Sequence, residues 1–121
     1  MNFLITITIP EPDVTIYKQT NPQLSHIYNF TDFHLITREK GGFFIFYNFK
    51  GDVLFVGKAR KLRPRIKKHF EDSVSPMKNY RDEVTKIEIY VNEDPVEREI
   101  YETYLINQFR AKYNVDKVLY R

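Results

Sequence analysis

The sequence predicts an α+β domain: a small, mostly antiparallel three-stranded sheet packed by helices, with a short N-terminal extension. Three observations point there. Two runs of β-branched and aromatic residues flank a glycine-containing turn between residues 43 and 56. Strict alternation of apolar and polar residues recurs at 86–92, and helical periodicity follows each of these β units. At 121 residues the chain is long enough for one domain and short for two. We divide it into an extension, residues 1–40, and a main unit, residues 41–121.

In order, Met1 to Ile9 alternates Ile5, Ile7 and Ile9 with threonine, so it reads as a strand. It lacks a basic leading segment, so it does not read as a signal peptide. Glu11-Pro12 and Asn21-Pro22 then punctuate a weakly periodic stretch to about residue 40, expected to be loop or short helix. Gly41-Gly42 opens the hairpin: Phe43 to Tyr47, a turn at Asn48 to Asp52, then Val53 to Val56, ended by Gly57. Both strands are apolar on both faces, which predicts cover on both sides. Leu62, Ile66 and Phe70 form a narrow apolar stripe at helical spacing, and Pro64 fits only in the first turn, so a helix starts near residues 61–63. Arg65 and His69, four apart, share a face beside that stripe. Residues 71–84 are loop and short helix, and Lys86 to Asn92 is the third strand with Ile87, Ile89 and Val91 inward. Asp94-Pro95-Val96-Glu97 starts a second helix, with Asp as N-cap and Pro at the first helical position. It runs to about Phe109, with Val96, Ile100, Leu105, Ile106 and Phe109 as its core.

Composition narrows the function. Ten Phe, nine Tyr and 42% apolar residues support a packed core and exclude disorder. The chain has no cysteine, which excludes disulfides, a thiol nucleophile and cysteine-ligated zinc or iron–sulfur centres. No window approaches the ~20 apolar residues of a membrane helix, so the expected location is the cytoplasm. The net charge of +3 is small but uneven: −1 over residues 1–57, +7 over 58–70 and −3 over 71–121. Lys58, Arg60, Lys61, Arg63, Arg65, Lys67 and Lys68 supply the +7 without one acid among them. Such a cluster is a footprint of phosphate-backbone binding, although a solvated basic helix face is the commoner origin of a charge run.

Four blocks carry a resemblance to a known family. They are Gly42-Phe43-Phe44-Ile45-Phe46; Leu54-Phe55-Val56-Gly57-Lys58-Ala59-Arg60-Lys61-Leu62; Pro64-Arg65-Ile66-Lys67-Lys68-His69-Phe70; and Glu102-Thr103-Tyr104-Leu105-Ile106 with Lys112-Tyr113-Asn114-Val115. In this order and spacing the chain resembles the GIY-YIG endonuclease domain, most closely the nuclease domain of UvrC, over roughly residues 41–116. The resemblance implies a DNA phosphodiesterase using one Mg²⁺ or Mn²⁺ ion. Its roles fall residue by residue: Glu102 as the metal ligand, Arg65 on the scissile phosphate, Lys58 on phosphate or a proton acceptor, His69 on phosphate or a proton, and Asn114 as a supporting hydrogen-bonder. Each has a plainer reading: a helix Glu paired with Arg98, one of seven basic residues with no assignable role, a loop lysine, a structural histidine, a turn asparagine. The chemistry is of one kind: hydrolysis needs charge neutralised on phosphate, a deprotonated water and a stabilised leaving oxygen.

The chain departs from the pattern at its two signature tyrosines, where Phe44 and Phe55 stand. The rings can pack, but two hydroxyls are lost. General-base catalysis is typically worth ~10²–10⁴-fold, so a crippled nuclease is expected rather than a dead one. Tyr47 lies three residues from Phe44 on the opposite strand face and is no substitute; His69 is the better stand-in. Two readings follow: a slow metal-dependent endonuclease, or a nucleic-acid-binding module that has lost its chemistry. A protein-interaction scaffold would leave the basic cluster idle. Full repair activity would need repair or recombination protein partners.

Overall fold

A computed structural model describes residues 7–20 and 27–120. Four strands, β1 (Val14–Tyr17), β2 (Gly42–Tyr47), β3 (Val53–Ala59) and β4 (Lys86–Val91), form one sheet in the order β1-β4-β2-β3. Every pairing is antiparallel. The sheet thus has four strands rather than three. The addition is β1, whose Val14 pairs with Ile89 and Tyr17 with Lys86. Of the strand expected at residues 1–9, residues 1–6 lie outside the described residues, and 7–9 are not in a strand, though Ile9 packs on the core. The punctuation at Asn21-Pro22 also lies outside the described residues.

The hairpin turn is made by its own side chains. Asn48 Oδ1 accepts from the Lys50 and Asp52 amides at 3.0 and 2.9 Å, and Gly51 takes φ +85°, a conformation open to glycine. A bulge falls between Phe46 and Tyr47, at the turn end of β2.

Alternation sends the two faces of the sheet into two cores. Phe44, Phe46, Ile87 and Ile89 face one side and pack with α1 (Leu62–His69) through Leu62 and Ile66, and with Phe70 at its C-terminal cap. Phe43, Ile45, Val56 and Tyr90 face the other and pack with α2 (Pro95–Gln108) through Leu105 and Ile106. Fully apolar strands are therefore covered on both sides, as their composition requires. Asp94 caps α2, accepting from the Val96 and Glu97 amides at 2.8 and 3.3 Å. The inward side of α2 is Arg98, Glu102, Leu105 and Ile106, and the expectation for Val96, Ile100 and Phe109 is corrected: all three are about half exposed or more. The rotation of the helix buries two charged groups in place of two aliphatic ones.

Strand β3 is an edge strand, and the chain after α2 covers its outer side. The Lys112 and Tyr113 amides donate to Val53 and Leu54 carbonyls at 3.1 and 2.8 Å. Asn114 continues the ladder with its side chain: Oδ1 accepts from the Val56 amide and Nδ2 donates to the Val56 carbonyl, both at 2.9 Å. An edge that would template foreign strands is closed.

Candidate functional site

Two clefts open where β3 meets the helices. The smaller, about 310 Å³, is lined by Lys58, Arg65, His69, Glu102 and Asn114, the five residues to which sequence assigned chemistry. Strand β3 ends in Gly57-Lys58, α1 supplies Arg65 and His69, and α2 supplies Glu102. The larger cleft, about 670 Å³, lacks the carboxylate; it is lined by Lys58, Arg60, Lys61, Arg65, Lys68 and Arg98 with small and apolar neighbours. Lys58 and Arg65 belong to both.

Of the seven cations of the basic run, five therefore face these clefts and two do not. Lys67 lines neither. Arg63 turns away and donates through Nε to the Ile36 carbonyl and through Nη2 to the His34 carbonyl, both at 2.8 Å, fixing the turn at Phe33–Leu35. Arg65 is exposed.

His69 is mostly buried among rings, 4.8 Å from Phe55, 5.6 Å from Phe44 and 5.9 Å from Phe46 between centroids. Burial first, and the Arg65 charge second, push its pKa down to about 4, so the ring is neutral at pH 7. Its Nδ1 is 2.7 Å from Ser75 Oγ, which also accepts from the Met77 amide. The Ser75 loop is held by Asp72, whose Oδ1 accepts from the Ser75 amide at 2.9 Å.

The two substituted positions differ. Phe55 lines the smaller cleft, whereas Phe44 is wholly buried behind Gly57. A Cβ at residue 57 would lie 2.4 Å from Phe44 Cζ, so only glycine lets this ring pass beneath the strand. Tyr47 faces the other core and donates to Glu88 Oε1 at 2.5 Å. Burial and the Glu88 carboxylate raise its pKa far above the ordinary phenol value, which removes it as a base.

Glu102 is buried, but its partner is not Arg98. Lys117 Nζ sits 2.6 Å from Glu102 Oε1 and 2.7 Å from the Glu99 carboxylate, and Glu99 also binds Lys58. Hydrogen bonds from Lys117 and then Lys58 lower the Glu99 pKa. Arg98, buried instead beside Gly41, donates to the Ala59 carbonyl at 3.1 Å. Sequence reasoning missed Glu99, Lys117 and Asp116, all at or beside the cleft. The spacing of Glu99 from Glu102 is a usable signal, since residues three apart share a helix face. Lys117 sits in a turn at φ +63° and has no periodic signal.

A hairpin, an arginine-bearing helix, a third strand and a glutamate-bearing helix follow in that order, with the hairpin's second strand and both helices meeting at one cleft, and together they define a domain of the GIY-YIG class. The sequence model described as the UvrC-like GIY-YIG domain matches residues 40–115. The chain belongs to that family. The uncharacterized protein YurQ of Bacillus subtilis is 57% identical across 98% of this chain and 100% of its own length. UvrABC system protein C of Dictyoglomus thermophilum is 41% identical, but the match covers 64% of this chain and 13% of that protein. The solved N-terminal GIY-YIG endonuclease domain of UvrC from Thermotoga maritima, bound to its catalytic magnesium, is 32% identical with a TM-score of 0.59, over 67% of this chain and 90% of that one. Three tyrosine-to-phenylalanine point mutants of that domain are also solved with its catalytic divalent cation bound. No helix among the described residues is long and apolar enough to cross a membrane.

Proposed function

We propose that this protein is a divalent-metal-dependent endonuclease that hydrolyses DNA phosphodiester bonds, slowed by the loss of both motif tyrosines. One observation carries the reading: Arg65 from α1 and Glu102 from α2 line a single cleft together with Lys58 and His69. That supplies a phosphate-binding guanidinium, a hard-oxygen ligand and a neutral imidazole within one small volume.

The donor set fits one hard cation. Glu102 and Asp116 are the cleft's carboxylates, and among the described residues no three His, Asp or Glu gather into a dense metal cluster. Sparse oxygen ligation with water completing the shell suits Mg²⁺ or Mn²⁺. Each of the relative's single tyrosine-to-phenylalanine mutants retains its cation, which supports metal binding when one such phenol is lost. When bound, the ion would supply a water of lowered pKa and charge neutralisation at phosphate.

The chain's own groups do the rest. Arg65 grips two non-bridging phosphate oxygens in bidentate fashion. Lys58 adds positive charge from the strand end. His69 takes the proton of the attacking water at Nε2, in the tautomer whose Nδ1–H donates to Ser75 Oγ. Asn114 is a positioning residue: both polar atoms of its amide are spent on Val56, which fixes the strand carrying Phe55, Gly57 and Lys58. Arg60, Lys61 and Lys68 hold the flanking backbone in the larger cleft. A role in DNA repair or recombination, with protein partners, is part of the proposal.

The second reading is a binding module without chemistry. Phe44 and Phe55 favour it, because neither ring can accept a proton from water. Supercoiled and branched DNA, incubated with the protein and Mg²⁺ or Mn²⁺, separates the two. Nicking by the wild type that Glu102→Ala abolishes supports the enzyme; salt-sensitive binding with no nicking leaves the module. The variant Phe55→Tyr, at the motif position that lines the cleft, is expected to nick faster, toward the ~10²–10⁴-fold that general-base catalysis is worth, whereas Phe44→Tyr, buried behind Gly57, is not.

A further inference from the structure

The carboxylate assigned to the metal already holds a cation. Lys117 Nζ lies 2.6 Å from Glu102 Oε1, with the Glu102 side chain only 12% exposed and that of Lys117 31%. This is a built contact. Asn107 of α2 donates to the Thr103 and Lys117 carbonyls, both at 2.8 Å, and its Oδ1 accepts from the Leu119 amide at 2.6 Å. The turn is thereby stapled to the same helix that carries Glu99 and Glu102. Lys117 is also held at φ +63°, a conformation that side-chain-bearing residues seldom adopt.

An inner-sphere Mg²⁺ would sit ~2.1 Å from a carboxylate oxygen, inside the space this ammonium holds. Two cations so close repel in a partly dry cleft. Glu99 offers the displaced lysine a second anchor, since Lys117 Nζ is already 2.7 Å from it. The ammonium can release Glu102 and stay on Glu99 through a change of side-chain torsions alone.

We propose that Lys117 is an internal cation that competes with the divalent metal for Glu102, so that metal loads only as Lys117 swings to Glu99. This rests on Glu102 being the metal ligand. It makes Lys117 a gate on metal occupancy, and it explains a positive side chain in a site that must itself attract a positive ion.

The test is Mn²⁺ binding by the full chain, followed by electron paramagnetic resonance of free Mn²⁺ and by the melting temperature with and without Mn²⁺. Lys117→Met removes the charge, and Lys117→Asn removes it while suiting the left-handed backbone, which protects the fold. Both variants are expected to bind Mn²⁺ about ten- to a hundredfold more tightly than wild type, the equivalent of one charged hydrogen bond. Mn²⁺ should also raise their melting temperatures more than it raises that of wild type. Equal or weaker Mn²⁺ affinity in both folded variants overturns the proposal and leaves the nuclease reading intact. If Glu102→Ala binds Mn²⁺ as well as wild type does, the premise itself fails, because Glu102 is then not the ligand.

Discussion

The two clefts share a wall and are built on opposite principles. The larger gathers Lys58, Arg60, Lys61, Arg65, Lys68 and Arg98 with no acid in its lining, though Glu99 pairs with Lys58 from outside it, so it acts through summed charge. The smaller mixes signs: Glu102 against Lys117, a neutral His69 against Arg65, and an asparagine consumed by backbone. Phosphate attraction tolerates exchange of one cation for another, whereas a reacting site depends on which atom faces which. The difference suggests that binding and chemistry can be removed separately, although Lys58 and Arg65 serve both.

The sharpest break is Glu102→Ala. Metal-dependent nicking is expected to fall by about 10²–10³-fold or more, as when one preorganised charge-stabilising group is lost from an active site. DNA affinity and its salt dependence should hold, since the larger cleft is intact. Loss of both together, in a quantitative gel assay across salt, would show the two clefts to be one site.

Next in size is the pH dependence of His69. Its pKa falls from 6.5 unfolded to about 4 folded, chiefly through burial. Between those values the unfolded chain takes up a proton that the folded chain refuses. Stability is therefore fully present above pH 6.5 and lost as pH drops toward 4, by about 3 kcal/mol at most. Urea unfolding at pH 7 and pH 4.5 is expected to show that His69→Gln loses less stability on acidification than wild type. Identical losses would mean the ring is not held neutral. The same burial keeps the proton-accepting form available at all pH values near neutrality.

The mirror of Glu102→Ala is the triple variant Arg60→Ala, Lys61→Ala, Lys68→Ala. Each backbone contact contributes about one unit to the slope of log affinity against log salt, so the slope should shrink by about 3. Nicking at saturating DNA should change little. An unchanged slope would place the DNA elsewhere.

How much of this was legible follows from how local each signal is. The hairpin, β4 and both helices are written in short-range periodicity, and α2 announces itself through Asp94 and Pro95. Strand β1 is four residues long with one buried side chain, Ile16, and acquires its identity from β4 far along the chain. No local pattern encodes that. Helix α2 shows a second kind of failure. Apolar spacing selects Val96, Ile100 and Phe109, yet the buried side carries Arg98 and Glu102. A hydrophobicity rule fails where a site needs charge inside, as expected at functional positions. The family motif located Glu102, but only the folded turn after Asn114 brings Lys117 onto it.

The smallest effect tests the boundary of the basic run. Arg63 shares its helix and its sign with Arg65, yet its guanidinium spans the Ile36 and His34 carbonyls at 2.8 Å. Counted as charge, it belongs to the DNA surface; counted by hydrogen bonds, it belongs to the fold. Arg63→Ala frees two carbonyls at a partly exposed turn, which costs on the order of 1–2 kcal/mol. Chemical denaturation should register that loss, while the salt slope of DNA binding stays at the wild-type value. If the slope instead drops by about one unit with stability unchanged, the guanidinium leaves its carbonyls for phosphate. The larger cleft would then extend around α1, and the distinction between a cation that binds and a cation that braces would fail at this position.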